Sequence, residues 1–382
     1  MTLWAADVGP YVWHEFDADR MRNDIAAVAA AGFRTLRLLL PWDAFMPHPG
    51  RVPGIRLRQL DTVLSLAGEQ GIVTVPVLFA QALGDCVMLP AYAIHVDTRP
   101  SVVRPVTDAV VQPGRPKDQY TDSLLTEVQL QWIESLLSAF AGHPAIAMWD
   151  LGHDPAGVMR PRRTEQQRSW CARMSAAIHA YGQQTMLTLG ADDFLMARGV
   201  RPALLAREVD TLGVAVDLDR MHLTEVHGIA RTAFFAQLAL RLSGGEVPLA
   251  IHVSTTERKG SEAERTARDT IESLVEMGCS GVHAMWWAEC DERVMSVPPF
   301  DRRPDMARRG VMNVHGEPTS FGAGWTAEVA HEPERQPAQP WPAHIDIDDY
   351  YSSLPESLVD LQRSWDSGNE GMPAMLSPRS NH

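Results

Sequence analysis

Apolar residues along this chain fall into two kinds of stretch that take turns. Short runs hydrophobic on both faces read as strands: Leu3 to Val8, Thr35 to Leu40, Ile72 to Phe79, Ala145 to Pro155, Thr185 to Leu189, Thr211 to Val216, Pro248 to Val253 and Gly281 to Trp287. Between them lie stretches with apolar positions at helical spacing. Asp17 is placed to cap a helix that puts Met21, Ile25, Val28 and Ala29 on one face and stops at Gly32. Leu57 to Gln70 repeats the pattern with Leu60, Val63, Leu64 and Ala67, and Gly71 ends it. Leu124 to Ala141, a helix capped by Thr164 and running to about His179, Ile229 to Leu242 and Glu262 to Met277 complete the series.

Strands without polar alternation belong to a parallel sheet covered on both faces by helices. Eight such strands over about 290 residues predict an α/β fold of the (β/α)8 TIM-barrel type. A doubly wound sheet has no support, because no GxGxxG follows the first strand. The pattern divides the chain into a barrel over 1–325, a Pro-rich linker over 326–345, a helical segment over 346–366 and a disordered tail over 367–382. Residues 80–122, after the third strand, form a long insertion without clear periodicity, and a connection of that length is commonly functional.

Composition narrows the partners. The 382 residues are 45% apolar, enough for a large core, and the net charge is −14 with no basic patch, so nucleic acid is not expected. No apolar run reaches the length of a membrane span, and the N-terminus lacks the basic-then-apolar pattern of a signal peptide. Cys86, Cys171, Cys279 and Cys290 form no CxxC pair, which suggests neither a zinc site nor a redox pair and fits a reducing compartment. These readings predict a soluble cytoplasmic protein without a cofactor or resident metal.

Candidate chemistry collects where strands end, since a barrel presents its site there. The run Ala-Ile-Ala-Met-Trp-Asp-Leu from Ala145 stops at Gly152, His153, Asp154 and Pro155, delivering an imidazole and a carboxylate. Three stretches stand out: DIAAVAAAGFRTLRLLLPWDAFMPHPG from Asp24, HPAIAMWDLGHDP from His143, and GCSGVHAMWWAECDE with the following PPFDRRPDMARRGVMNVHGEP from Gly278 to Pro318. Together they resemble the retaining glycoside hydrolases of clan A, the cellulase- and mannanase-like barrels of family 5.

The resemblance implies a pair of carboxylates about 5 Å apart, a Glu acid/base in an Asn-Glu pair on strand four and a Glu nucleophile ending strand seven. Here the pair reads His153-Asp154, and Val253 stands at the nucleophile's place, or His252 if the register slips by one. Ala215 and Asp217 stand where the family carries a His and a Tyr, while Arg37 and Trp286 or Trp287 are kept. The frame is retained and the reacting groups are mostly replaced. The expectation is a glycoside-hydrolase-like barrel that no longer hydrolyses and binds a carbohydrate or a protein partner.

Alternatives stay open at this point. Asp154 with Asp217 or Asp192 could run an inverting reaction; His153, Asp154, Asp217 and His252 could hold a metal; Glu257 could replace the nucleophile if its loop folds back. Trp42, Trp286 and Trp287 could stack sugar rings, with Arg37 and Asp192 nearby. His222, His227 and His283 read as surface or packed histidines, and Arg37 with Asp150 as a buried ion pair. A last alternative is a structural or interaction protein whose 80–122 insertion covers the barrel mouth.

Overall fold

The computed structural model describes residues 1–79, 82–96, 101–197, 199–219, 221, 223, 230–256, 258–329 and 345–369. Seven parallel strands make one curled sheet in chain order: Thr35–Leu39, Val73–Val77, Trp149–His153, Thr185–Gly190, Thr211–Val216, Leu249–Val253 and Gly281–Ala284. Residues 1–3 fill the gap between the last strand and the first. Thr2 N donates to Ala284 O (3.1 Å) and Leu3 N to Arg37 O (3.1 Å), while Thr2 O accepts from Trp287 N (2.9 Å). Side chains of the sheet and its covering helices form one large core.

The first strand is shorter than the sequence suggests. It ends at Leu3, because residues 5–9 turn back on themselves through Gly9 N to Ala5 O (2.8 Å), with Gly9 at φ +53°. A positive φ of this size is a conformation glycine reaches without a Cβ clash.

The helices follow the apolar spacing. Ala18–Ala30 is capped by Asp17, whose carboxylate accepts from Asp19 N and Arg20 N, and it buries Met21, Ile25 and Val28. Gly54–Glu69 buries Leu60, Val63, Leu64 and Ala67. Ser123–Phe140, Thr164–His179, Ala230–Leu242 and Gly260–Glu276 occupy the expected places. Thr164 is the first helical residue rather than the cap, and its hydroxyl instead donates to Gly199 O (2.8 Å). Among the described residues no helix is long and apolar enough to cross a membrane.

Two segments differ from expectation. The insertion contains short strands: Cys86–Met88, Arg104–Thr107 and Val110–Val111 in one sheet, Ile94–His95 with Arg115–Pro116 in another. The single helix expected after Asp346 is two, Ile347–Ser352 and Glu356–Asn369, since Pro355 cannot continue a helix begun before it. Tyr350 and Tyr351 dock this segment by donating to Phe194 O (2.8 Å) and Asp193 O (2.9 Å), and Trp365 packs edge-on to Phe234. Of the linker expected over 326–345 and the tail expected over 367–382, residues 330–344 and 370–382 lie outside the described residues.

Candidate functional site

The strand that ends in His153 is irregular in a way that serves the barrel interior. Trp149 and Asp150 pair with Thr185 and Met186, but His153 pairs with Thr188, so one extra residue is accommodated. Such a bulge bends a strand and re-aims its side chains. Asp150 stabilises it: one carboxylate oxygen accepts from Gly152 N (3.1 Å) and Thr188 N (3.2 Å). The other accepts from Arg37 Nη2 (2.6 Å) and Thr188 Oγ1 (2.5 Å). Arg37 and Asp150 are both fully buried, so each charge is compensated by the other where water cannot help.

The two strand-end imidazoles lie against this network. His252 is fully buried, 3.4 Å from Thr188 Oγ1, with its ring 4.9 Å from that of His283. Burial and the neighbouring Arg37 push His153 down to about 3. Burial lowers His252 well below its ordinary value, with Arg37 adding to it, and burial likewise lowers His283. Neutral imidazoles beside an arginine are a packed interior layer, poorly suited to accepting a proton during turnover.

Asp154 follows at φ +50° and caps the short helix Pro155–Val158, its Oδ1 accepting from Gly157 N at 3.0 Å. The carboxylate is seated between two glycines: a Cβ added at Gly157 or Gly190 would lie 2.3 or 2.6 Å from one of its oxygens. Val253, at the end of the Leu249–Val253 strand, is fully buried. Asp217 is held by Arg309, whose Nη1 donates to it at 2.8 Å. Asp192 opens the four-residue helix Asp192–Leu195 and is half-buried. His153, Asp154, Asp217 and His252 do not converge into a compact donor set. Glu257, His222 and His227 lie outside the described residues.

The tryptophans expected to meet sugars are inside. Trp42 packs among Phe79, Tyr92 and Trp132 and donates its Nε1–H to the Tyr92 hydroxyl at 2.9 Å. Trp287 meets the Phe33 ring edge-on from within the main core. Trp286, at φ +67°, stacks on Trp4 with ring centroids 3.6 Å apart. These rings are at most 5% exposed, which leaves no face for a pyranose.

Trp286 belongs to a second apolar cluster, separate from the main core, that sits over the strand ends. It joins Leu39, Val77 and Met285 to Leu83 and Met88 of the insertion and to Val294 and Phe300 of the loop after the last strand. Arg104 pins the two covering segments together, with one fork to Asp85 (2.8 and 2.9 Å) and the other to Asp301 (2.7 and 2.8 Å). The insertion therefore lies across part of the mouth.

Polar lining appears to one side of this cover. A cleft of about 470 Å³ opens among the loops after the first, second, third and last strands, with Tyr11, His14, Arg56, Asp108 and Arg293 in its wall. Of these residues the sequence reading singled out none. The available signal was positional, since His14 follows the first barrel strand and Asp108 the third, and loops on one barrel end are neighbours.

No family model and no curated protein matches the sequence. Solved structures do. An exo-β-1,4-mannosidase from Opitutaceae bacterium strain TAV5 aligns over 87% of this chain at 16% identity with a TM-score of 0.73, and the chain spans 59% of that protein's length. A GH5_18 protein from Streptomyces cattleya, crystallised in complex with Manβ1-4GlcNAc, aligns over 90% of this chain and 83% of its own at 19% identity, TM-score 0.71. A GH5_18 protein from Bifidobacterium longum subsp. infantis aligns over 88% and 80% at 15% identity, TM-score 0.72. The curled parallel sheet, its covering helices and these alignments give the chain the (β/α)8 fold of the family 5 glycoside hydrolases.

Proposed function

We propose that this protein is a glycosidase-fold barrel that does not hydrolyse glycosides at the strand ends, and that it binds a carbohydrate in the side cleft. The observation that carries the reading is the fate of the two carboxylate positions. A retaining barrel needs two carboxylates about 5 Å apart and open to substrate. In their places stand Asp154, occupied as a helix cap, and Val253, fully buried in the main core. A valine has no lone pair with which to attack an anomeric carbon. The inverting alternative through Asp217 is disfavoured because that carboxylate is already engaged by Arg309.

The side cleft suits a hydroxylated ligand. Its wall offers Tyr11, His14 and two arginines as donors and acidic groups as acceptors, and a volume of about 470 Å³ accommodates one or two sugar rings. Sugar binding is motivated further by the neighbouring fold solved with Manβ1-4GlcNAc.

The test is hydrolysis of 4-nitrophenyl β-mannoside and β-glucoside by the full chain. Release is expected to stay at the buffer background. Turnover that disappears in Asp154→Asn or Glu257→Gln would overturn the reading. Saturation-transfer NMR with Manβ1-4GlcNAc is expected to give ligand signals that fade in Arg293→Ala; signals unchanged in that variant would remove the cleft from the proposal.

A further inference from the structure

Among the described residues, one set of His, Cys, Asp and Glu side chains is compact enough to hold an ion, and it lies away from the strand ends discussed above. His14 comes from the loop after residues 1–3. Asp43 sits in the Trp42–Phe45 turn of helix after the Thr35–Leu39 strand. Asp108 sits at the tip of the hairpin joining Arg104–Thr107 to Val110–Val111. One donor atom from each lies within 4.8 Å of the others.

Two of the donor separations are close to those of ligands around a shared centre. His14 Nε2 is 3.3 Å from Asp43 Oδ2 and 3.7 Å from Asp108 Oδ1. Tetrahedral bonds of about 2.0–2.1 Å place neighbouring donor atoms roughly 3.3–3.4 Å apart. The imidazole makes no hydrogen bond across these gaps: both His14 ring nitrogens are buried and without a hydrogen-bond partner.

Asp43 supplies an independent sign. Its side chain is 1% exposed, and its Oδ1 is buried with no hydrogen-bond partner. A sealed carboxylate oxygen left unmatched is unfavourable, and a cation held by the same carboxylate, whose other oxygen faces His14, would offset that. Asp43 Oδ2 also accepts from Asp108 N at 3.1 Å, which fixes the hairpin tip against it. Arg56, the nearby cation, acts on Asp43 and Asp108 through space but hydrogen-bonds neither: its guanidinium donates to Trp13 O, to Ala44 O (3.3 Å) and to Gln59 Oε1 (2.8 Å). His14 and Asp108 also line the side cleft.

We propose that His14, Asp43 and Asp108 bind one divalent transition cation of the zinc class, in a three-ligand site whose remaining coordination position faces the side cleft. One imidazole and two carboxylates are borderline-to-hard ligands that suit zinc, cobalt or manganese. Two carboxylates and a neutral imidazole neutralise the ion, and the open position takes a water or an oxygen of a cleft ligand. The site does not depend on the cleft holding a sugar.

The full chain, stripped with chelator and dialysed, is titrated with Zn²⁺ by calorimetry and with Co²⁺ by visible absorption. One equivalent is expected, with the intense d–d absorption of four-coordinate cobalt. His14→Ala and Asp108→Asn are expected to weaken binding at least about tenfold, since even outer-shell partners of a metal site commonly cost 10–100-fold. Asp108 is at an exposed tip, and asparagine tolerates its positive φ, so Asp108→Asn keeps the fold; an unchanged melting curve in chelator checks that. Absence of stoichiometric binding of either ion overturns the proposal. Binding that survives undiminished in both variants overturns it equally, because the ion then sits elsewhere.

Discussion

His153 ends one strand and His252 stands next to the end of another, both buried and within reach of the Arg37 charge. His14 lies in the loop after the first strand, beside two carboxylates and in the wall of a cleft. The three imidazoles share one end of one barrel, yet their surroundings differ in charge and in access. An imidazole held neutral by burial and a neighbouring cation adds little beyond packing and hydrogen bonding. One placed among anionic oxygens can share a ligand or an ion with them. On the proposed reading the strand-end centre, where the fold's resemblance directs attention, is structural, and the groups proposed to bind stand to one side.

The sharpest way to break that contrast is to remove the charge that the centre is built around. Asp150 accepts four hydrogen bonds in a fully buried position and is the carboxylate that compensates Arg37. Asp150→Ala is expected to cost about 3–5 kcal/mol, because it strands a buried guanidinium. Urea denaturation measures it. A loss below about 1 kcal/mol, the scale of an exposed pair, would mean that water reaches the barrel interior and that the centre is not sealed.

Acid probes the same seal less severely. Burial and Arg37 hold His153 at about 3, so the folded chain keeps this imidazole neutral while the unfolded chain takes up a proton below roughly pH 6.5. Its contribution is complete above that pH and declines as the pH falls through the window from about 6.5 to 3, by up to about 1.4 kcal/mol per pH unit. His252 and His283 are shifted in the same direction and steepen the decline. Denaturation midpoints taken between pH 7 and pH 4 should fall steadily, and less steeply in His153→Gln. Equal slopes in both proteins would place His153 in contact with solvent.

Much of this arrangement was readable from the chain. Asp17, Met21, Ile25 and Val28 carried both the cap and the buried face of the first helix, and local patterns of that kind survive folding. The departure of His153-Asp154 from a family pair was also visible, since it needs only position in a motif. What the chain did not reveal depends on contacts between distant segments. Trp286 is apolar and strand-terminal whether a sugar or Trp4 lies on its face, and the choice is made by residues 83–88 and 294–300 closing over it. His14, Asp43 and Asp108 carry no spacing motif, because they meet only once successive loops are brought to one end of the barrel. Asp154 shows the same limit, since its role was set by a left-handed backbone and two glycines that the sequence pattern does not announce.

Asp154 offers the smallest effect and the finest discrimination. As a cap at φ +50°, it stabilises the Pro155–Val158 turn by accepting from Gly157 N. Asp154→Ala removes that acceptor and leaves the left-handed backbone without the local side-chain hydrogen bonding that makes it tolerable for Asp and Asn, for an expected loss of about 1–2 kcal/mol. Asp154→Asn keeps an acceptor oxygen and tolerates the backbone, so its loss should stay within about 0.5 kcal/mol. A catalytic acid behaves the other way round: the asparagine variant would fold like the parent and lose turnover, because an amide cannot supply the proton. Stability and glycoside hydrolysis measured on the same pair of variants therefore separate the two roles. Alanine worse than asparagine in stability, with no activity to lose in either, is the outcome a cap requires.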